Sequence, residues 1–240
     1  ADTLAALTIM NFTPTPPGEP RLALFDLDHT LLPIDSDYEW ARFLARVGAI
    51  DGDEHTRRND HYLRQYQAGT LDIFEFLAFQ LAPLAAHPRE QLDRWHRQYM
   101  DEVIRPAIQP AARDLVSRHL ASGDLCALVT ATNEFVTAPI AAEFGLSHLV
   151  ATTVETVNGA YTGRPAGTPS FREGKVTRTH AWLASLGAAF EGFATSWFYS
   201  DSINDLPLLS LVTHPVATNP DDRLARLAAE RGWAVLRLFE

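Results

Sequence analysis

The stretch RLALFDLDHT, residues 21–30, decides the fold of this 240-residue chain. Its first half is an apolar run after a proline-rich segment, which predicts a short buried strand that ends at Phe25. Asp26 and Asp28 come directly after that strand. In open parallel sheets, ligands bind beyond the carboxyl ends of the strands. The two carboxylates therefore indicate where a functional site should lie.

The rest of the chain alternates between strand and helix patterns. Further apolar runs predict strands at 125–130, 148–153, 196–200, 215–218 and 234–238. Helical periodicity lies between them, at 110–120, 135–144, 174–186, 206–211 and 223–230. The pair Asn158-Gly159 predicts a hairpin turn. This alternation predicts an α/β fold, Rossmann-like, with a mostly parallel sheet covered by helices on both faces.

One long segment breaks the alternation. Residues 35–105 contain no convincing strand and show helical patterning at 38–47, 54–67, 73–81 and 88–103. We expect a small all-helical domain inserted after the first strand and lying over its end. We predict an N-terminal tail at residues 1–20, a discontinuous α/β core at residues 21–34 and 106–240, and a helical cap domain at residues 35–105.

Composition narrows the class of protein. The chain is 46 % hydrophobic and 21 % charged, as in soluble globular proteins, and its net charge is −10. Such a charge repels nucleic acid. No apolar run approaches the ~20 residues that span a bilayer, and residues 1–10 lack the basic start of a signal peptide. The only cysteine, Cys126, lies in an apolar run and fits a reducing compartment. We predict a cytoplasmic protein and leave its oligomeric state open.

Polar residues with complementary chemistry follow the predicted strands. Thr130 closes the second strand, Asp201 and Asp205 follow the strand at 196–200, and Lys175 opens the helix before it. Each alone has an ordinary explanation, such as a strand end, a solvated lysine or acids in a first helical turn. Together they form a cluster of carboxylates that would repel one another without a cation. Mg²⁺, with its preference for oxygen ligands, suits such a cluster.

This set of side chains suits phosphoryl transfer. Asp26 can act as the nucleophile and form an aspartyl-phosphate. Asp28 can protonate the leaving alkoxide and later deprotonate the attacking water. Thr130 can donate its hydroxyl to a phosphoryl oxygen, and Lys175 can balance the negative charge. The sequence therefore predicts a magnesium-dependent phosphatase that acts on a small phosphorylated metabolite.

In this order the residues resemble the four motifs of the haloacid dehalogenase-like hydrolase superfamily. The resemblance runs from about Arg21 to the C-terminus, and the helical insert resembles the C1 cap of the phosphoserine-phosphatase-like branch. It implies that Asp26 and Asp201 bind the metal directly, that Asp28 contributes its backbone carbonyl, and that Asp205 supports the site less directly. Thr30 and Asn204 are predicted to contact the substrate.

The resemblance also bears on specificity. Asp35 lies at the offset where phosphoserine phosphatases carry an acidic residue that holds the substrate ammonium. Those enzymes use a cap arginine for the substrate carboxylate, but residues 73–80 contain none. This favours an amino-alcohol phosphate without a carboxylate, such as histidinol phosphate. Two alternatives stay open: Asp37 could replace Asp35, and another arginine could fold back, with candidates at Arg57, Arg58 and Arg64.

The sequence departs from the family pattern at two further places, and it leaves several other functions open. His29 stands where the family often has a small or amide residue, and Ala131-Thr132 where phosphoserine phosphatases have glycines. A phosphoserine phosphatase or a phosphotransferase would keep every motif. A receiver-type signalling domain would be about half as long and would lack the insert. A dehalogenase of the same superfamily would leave Asp28, Asp201 and Asp205 without a role.

Overall fold

The computed structural model describes residues 18–239, so most of the predicted N-terminal tail lies outside the described residues. The strands form a single seven-stranded sheet in the order β4-β3-β2-β1-β5-β6-β7. All neighbouring pairs are parallel except β3 with β4, which is antiparallel. The strands are β1 Arg21–Phe25, β2 Leu125–Asn133, β3 Leu149–Val157, β4 Ala160–Ala166, β5 Thr195–Ser200, β6 His214–Thr218 and β7 Ala234–Leu236.

The central strand β1 is buried on both faces. Phe25 packs in one apolar cluster, where its ring stacks on Tyr199 at 5.2 Å between centroids, and Leu24 packs in a second cluster with Phe198. Successive side chains of a strand point to opposite faces, so one apolar run feeds both clusters. This confirms the predicted α/β fold and places Asp26 at the centre of the sheet edge.

Within residues 35–107, between β1 and β2, the only regular structure is helical. The helices are α1 Ser36–Arg46, α2 Gly52–Ala68, α3 Ile73–Ala86 and α4 Arg89–Tyr99, the last continuing through a π-helical turn, Met100–Ile104, to Arg105–Ala107. The side chains of Asp35, Asp51 and Asp72 cap α1, α2 and α3 by accepting backbone N–H groups. The predicted all-helical insertion is confirmed, while its division from the core as a separate domain stays a prediction.

The remaining helices cover the sheet. They are α5 Pro110–Ala121, α6 Glu134–Glu143, α7 Glu173–Ser185, α8 Leu206–Leu209 and α9 Asp222–Arg231, with 3₁₀ turns at Phe190–Gly192 and Ile203–Asp205. Helix α3 of the insertion packs against the hairpin β3–β4. The helix and the hairpin approach closely: a Cβ added at Gly163 would lie 3.1 Å from the Cβ of Ala85. The structure contains the hairpin predicted at Asn158-Gly159, and α3 of the insertion packs against it.

Some predicted bounds were wrong for identifiable reasons. β2 continues to Asn133, because Asn133 pairs with Thr152 of β3 after a register shift. β7 ends at Leu236 instead of residue 238, because the Leu238 N–H donates to the side chain of Asn219 at 2.7 Å.

Candidate active site

The predicted catalytic side chains meet at one edge of the sheet. Asp26 and Asp28 follow β1, Thr130 lies within β2, and Asp201 follows β5. Since β1 lies between β2 and β5, residues that are far apart in the sequence converge at the carboxyl ends of these three strands.

A tight loop after β1 holds the first carboxylates. The Leu27 carbonyl accepts hydrogen bonds from the N–H groups of Thr30, Leu31 and Leu32 at 3.1, 2.8 and 3.0 Å. His29 adopts a left-handed backbone with φ of 59°, and its side chain is exposed. The loop folds back on itself directly beside the end of the strand.

Asn219 ties this loop to the C-terminal part of the sheet. Its Nδ2 donates to the carbonyls of His29 and Thr30 at 3.0 and 3.2 Å. Its φ of 46° is left-handed, which asparagine adopts more readily than most residues. Sequence reasoning missed Asn219; the pair Asn219-Pro220 is a turn signal, but it does not reveal the partner.

Two side chains hold the Asp26 carboxylate, which is only 7 % exposed. Its Oδ1 accepts a hydrogen bond from the Lys175 ammonium at 2.8 Å, and its Oδ2 accepts one from the Thr30 hydroxyl at 3.0 Å. The Lys175 ammonium also donates to Asp205 Oδ2 at 2.7 Å, and the same oxygen accepts from Ser200 Oγ at 2.7 Å. Asp26 is therefore fixed between a positive charge and a hydroxyl.

Lys175 is the only lysine in the sequence, and it is buried. Burial alone lowers its pKa, but the carboxylates of Asp205 and Asp26 outweigh burial and raise the pKa above its usual value. The preceding residue must be glycine, because a Cβ at Gly174 would lie 2.0 Å from the Pro169 carbonyl oxygen. This close turn brings a charged ammonium into the site.

Thr30 links Asp26 to a further carboxylate. Its Oγ1 lies 3.3 Å from Asp201 Oδ1 and accepts the Asp201 N–H at 3.0 Å. The side chain is fully buried. The hydroxyl thus joins two carboxylates of the site, and its predicted contact with substrate stays a prediction.

The cluster carries more negative than positive charge. Asp26, Asp201 and Asp205 surround a single ammonium, and burial, then Asp26 and Asp205, raise the pKa of Asp201 well above its usual range. Within residues 18–239 no three His, Cys, Asp or Glu side chains are grouped to hold a metal ion as they stand, and Lys175 takes one oxygen each of Asp26 and Asp205. The oxygen donors and the excess negative charge nevertheless fit a hard divalent cation.

Asp28 is held in a different way. Its Oδ1 accepts the Ser36 N–H at 2.6 Å, and its Oδ2 accepts the Thr132 hydroxyl at 2.8 Å. Burial, followed by the nearby charge of Asp35, raises the pKa of Asp28 to about 6. A carboxyl group with this pKa gains and loses protons near neutral pH. Thr132 is a partner that sequence reasoning noted only as a departure from the family.

Asp35 and Asp37 lie beside Asp28 at the start of α1. Asp35 is the N-cap, and its Oδ1 accepts the N–H groups of Asp37 and Tyr38 at 3.0 and 2.9 Å. Asp37 is buried, and burial, then Asp35 and Asp28, raise its pKa well above the usual value. Three carboxylates therefore lie together where the insertion begins.

The two remaining predicted residues, Thr130 and Asn204, form hydrogen bonds within the protein. Thr130 is buried, and its hydroxyl accepts the Thr132 N–H at 3.2 Å. Asn204 Oδ1 accepts a hydrogen bond from Arg172 Nε at 3.2 Å. Arg172 was missed, although it lies three residues before Lys175.

With this geometry established, comparison with known proteins identifies the class. The family profile described as haloacid dehalogenase-like hydrolase matches residues 23–210. The chain belongs to this family, as predicted.

Individual relatives refine this assignment. The chain is 47 % identical over 217 residues to a protein named histidinol-phosphatase from Neisseria meningitidis serogroup C, which covers 90 % of this chain and 98 % of that protein. A crystal structure of a protein of unknown function from Bordetella pertussis Tohama I is 57 % identical, with a TM-score of 0.88, and covers 92 % of this chain and all of that one. The predicted enzyme class, a phosphatase among hydrolases, is confirmed.

A substrate-bound phosphoserine phosphatase shares the fold. Its TM-score is 0.63 at 17 % identity, over 91 % of this chain and 93 % of that one, which confirms the architecture and no more. In the part of the chain that the structure describes, no helix is both long and apolar enough to cross a membrane. The predicted cytoplasmic location stays a prediction.

Proposed function

We propose that the chain is a Mg²⁺-dependent phosphomonoesterase that forms an aspartyl-phosphate at Asp26. The observation that carries the proposal is the pairing of two carboxylates with different surroundings. Asp26 is held by Lys175 and Thr30, whereas the pKa of Asp28 is raised to about 6. The first suits a nucleophile and the second suits a group that exchanges protons.

In the first half of the reaction, an Asp26 oxygen attacks the phosphorus of the ester. A new bond forms between that oxygen and phosphorus while the ester P–O bond breaks. The leaving alkoxide takes the proton of Asp28. The Lys175 ammonium and the Thr130 hydroxyl stabilise the negative charge of the transferred group.

In the second half, Asp28 acts as a base. It accepts a proton from a water molecule, whose oxygen attacks the phosphorus and releases the Asp26 carboxylate and inorganic phosphate. Asp28 is then protonated again and ready for the next cycle. The hydrogen bonds from Ser36 and Thr132 keep its carboxyl group in place throughout.

Asp26, Asp201 and the Asp28 backbone carbonyl would hold the Mg²⁺, with Asp205 supporting the site through Lys175 and Ser200. When bound, the cation supplies positive charge for the phosphoryl oxygens. Burial is the largest cause of the raised pKa of Asp201, and the cation would relieve the repulsion from Asp26 and Asp205 that adds to it.

The substrate we propose is an amino-alcohol phosphate such as histidinol phosphate. Asp35, or Asp37 in its place, offers negative charge to a substrate ammonium, and α3 carries no arginine for a substrate carboxylate. The name of the Neisseria relative agrees with this choice.

The other candidate arginines do not alter this choice. Arg57, Arg58 and Arg64 are exposed. Arg57 pairs with Glu54 at 2.6 Å, and the guanidinium of Arg58 lies 4.3 Å from the ring centroid of Phe79. A phosphoserine phosphatase is the second candidate, because the fold is shared.

A panel of phosphate esters with and without Mg²⁺ tests the proposal. We expect hydrolysis that needs Mg²⁺, a specificity constant at least about 100-fold higher for histidinol phosphate than for phosphoserine, and no turnover by Asp26→Asn. Full activity with a chelator, or a phosphate analogue attached to another carboxylate, would contradict the mechanism. Equal constants for the two esters would contradict the substrate.

A further inference from the structure

The side chain of Tyr99, the last residue of α4, is completely buried. Its ring lies against Trp40 and Phe43 of α1, with centroids 5.2 and 5.9 Å apart. A buried tyrosine hydroxyl needs a hydrogen-bond partner, and this one donates to the Ser36 carbonyl at 2.7 Å. Phenylalanine would fill the same apolar space without that requirement. Packing alone therefore does not account for the hydroxyl.

Ser36 connects this hydroxyl to the site. Its N–H donates to Asp28 Oδ1 at 2.6 Å, while its carbonyl accepts from Tyr99. The two groups belong to the planar peptide units on either side of the Ser36 Cα, so the two hydrogen bonds together fix the backbone of this residue. A path of two hydrogen bonds thus runs from the helical insertion to the proposed acid–base carboxyl group.

Like charges oppose this arrangement. Asp35 and Asp37 flank Ser36 at the start of α1, and Asp28 lies beside them. Burial and then the charge of Asp35 raise the pKa of Asp28 to about 6 and that of Asp37 well above its usual value. Repulsion between the carboxylates favours a first turn that lies farther from Asp28. The Tyr99 hydroxyl opposes that displacement, because it anchors the turn to α4.

We propose that Tyr99 is a positioning residue for the reaction and that it acts through the Ser36 backbone to hold Asp28 in place. The inference rests on the proposed function, in which Asp28 carries the proton. Thr132 holds the other oxygen of Asp28, so the carboxyl group is fixed both from the insertion and from the sheet. Without the Tyr99 hydroxyl, the first turn of α1 shifts more easily and Asp28 loses a fixed donor.

Amide hydrogen exchange, followed by NMR, tests the anchoring of the turn without any turnover. The variant is Tyr99→Phe, and Tyr199→Phe is the matched control, because Tyr199 is equally buried and its hydroxyl lies 2.8 Å from His119 Nε2. We expect the amides of residues 36–38 to exchange about threefold to tenfold faster in Tyr99→Phe, since one hydrogen bond that holds the turn is lost. The control should leave these rates unchanged.

Kinetics shows whether the turn acts through Asp28. With an alkyl phosphate, the kcat of Tyr99→Phe should fall about 10-fold while KM stays within about threefold, because proton transfer is impaired and phosphate binding is kept. The rate of enzyme phosphorylation by nitrophenyl phosphate, whose leaving group needs no proton, should change less than about twofold. Tyr199→Phe should keep the wild-type kcat. Thermal unfolding checks that both variants fold, and a Tyr99→Phe variant that alone failed to fold would assign the hydroxyl to stability instead.

A double-mutant cycle separates a positioning role from a general one. In the Asp28→Asn background, Tyr99→Phe should lower the rate on the alkyl phosphate by less than about twofold more, because the carboxyl group that it positions is already gone, whereas independent effects would multiply. A full further loss of about 10-fold, an equal loss in Tyr199→Phe, or unchanged exchange at residues 36–38 would overturn the role of Tyr99. A wild-type enzyme that hydrolyses no ester would overturn the proposed function, while the exchange rates would still decide whether Tyr99 anchors the turn.

Discussion

Lys175 and Asp26 form a buried ion pair, with Lys175 Nζ 2.8 Å from Asp26 Oδ1. The same ammonium pairs with Asp205 at 2.7 Å. One lysine therefore neutralises charge in the loop after β1 and in the loop after β5. Its removal affects stability as well as chemistry, because two carboxylates would stay buried without their partner.

We predict that Lys175→Met lowers kcat by at least about 100-fold, since one charge that stabilises the transferred phosphoryl group is lost. The free energy of unfolding should fall by about 3 kcal/mol or more, because breaking a buried ion pair leaves unpaired charge. Steady-state kinetics and urea unfolding measure the two effects. Arg57→Met, in an exposed pair with Glu54, is the control and should cost about 1 kcal/mol or less. Equal losses in both variants would contradict the buried pair.

We predict that the loss of activity in Asp28→Asn depends on the leaving group of the substrate. An alkyl phosphate should lose about 10²–10⁴-fold in kcat, because its alkoxide needs a proton. A nitrophenyl phosphate should lose less in the first step, since nitrophenolate leaves unprotonated. The phosphorylated enzyme should then accumulate, because no base activates water. A rapid nitrophenol burst and the intact protein mass measure this. Equal losses in the rate of enzyme phosphorylation by the two substrates would argue against Asp28 as the acid.

Thr132 should affect catalysis through its hydrogen bond to Asp28. We predict that Thr132→Val lowers kcat about 10-fold, because the Asp28 carboxyl loses a hydrogen bond of 2.8 Å. Thr132→Ser keeps the hydroxyl and should retain most of the activity. Thermal unfolding checks that both variants fold. Equal activity of the serine and valine variants would show that the hydroxyl is dispensable.

The sequence predicted the sheet because apolar runs and breakers are local signals. It also predicted the edge where Asp26, Thr130 and Asp201 meet, because parallel strands bring their carboxyl ends together. It could not predict that Thr132 reaches Asp28, since the two are 104 positions apart and nothing near either residue indicates the other.

The sequence contains a capping signal for the start of α1 that the predicted helix bounds did not take into account. The helix was predicted from residue 38 but begins at Ser36. Asp35 is a favourable N-cap residue, and its side chain accepts two N–H groups of the first turn. Both N–H groups donate to Oδ1, so capping does not occupy the other oxygen of a carboxylate that was predicted to bind substrate.

His119 should make the stability depend on pH. It is buried between Asp124 at 2.6 Å and the Tyr199 hydroxyl at 2.8 Å, and burial lowers its pKa despite Asp124. The unfolded chain binds a proton at higher pH than the folded protein, so stability is lost as the pH falls below about 6.5.

We predict that between pH 7.5 and 5.5 the unfolding free energy of His119→Asn falls less than that of wild type. The difference is at most about 1.4 kcal/mol per pH unit. Urea unfolding at both pH values measures it. The exposed His61→Asn variant is the control for removing a histidine at the surface. Identical pH dependence of wild type and His119→Asn would contradict a buried neutral imidazole.

Asp35 and Asp37 provide the sharpest test of the proposed substrate. Asn caps helices about as well as Asp, so Asp35→Asn should fold normally while one negative charge is lost. We predict that Asp35→Asn and Asp37→Asn each lower kcat/KM for histidinol phosphate about 10-fold or more, because a hydrogen bond to a charged group is lost. Aryl phosphate, which has no ammonium, should change less than about twofold. Asp72→Asn is the matched control, because Asp72 caps α3 in the same way and should alter neither substrate. A loss in only one variant would identify the carboxylate that binds the ammonium, and equal losses on both substrates would exclude this role for both residues.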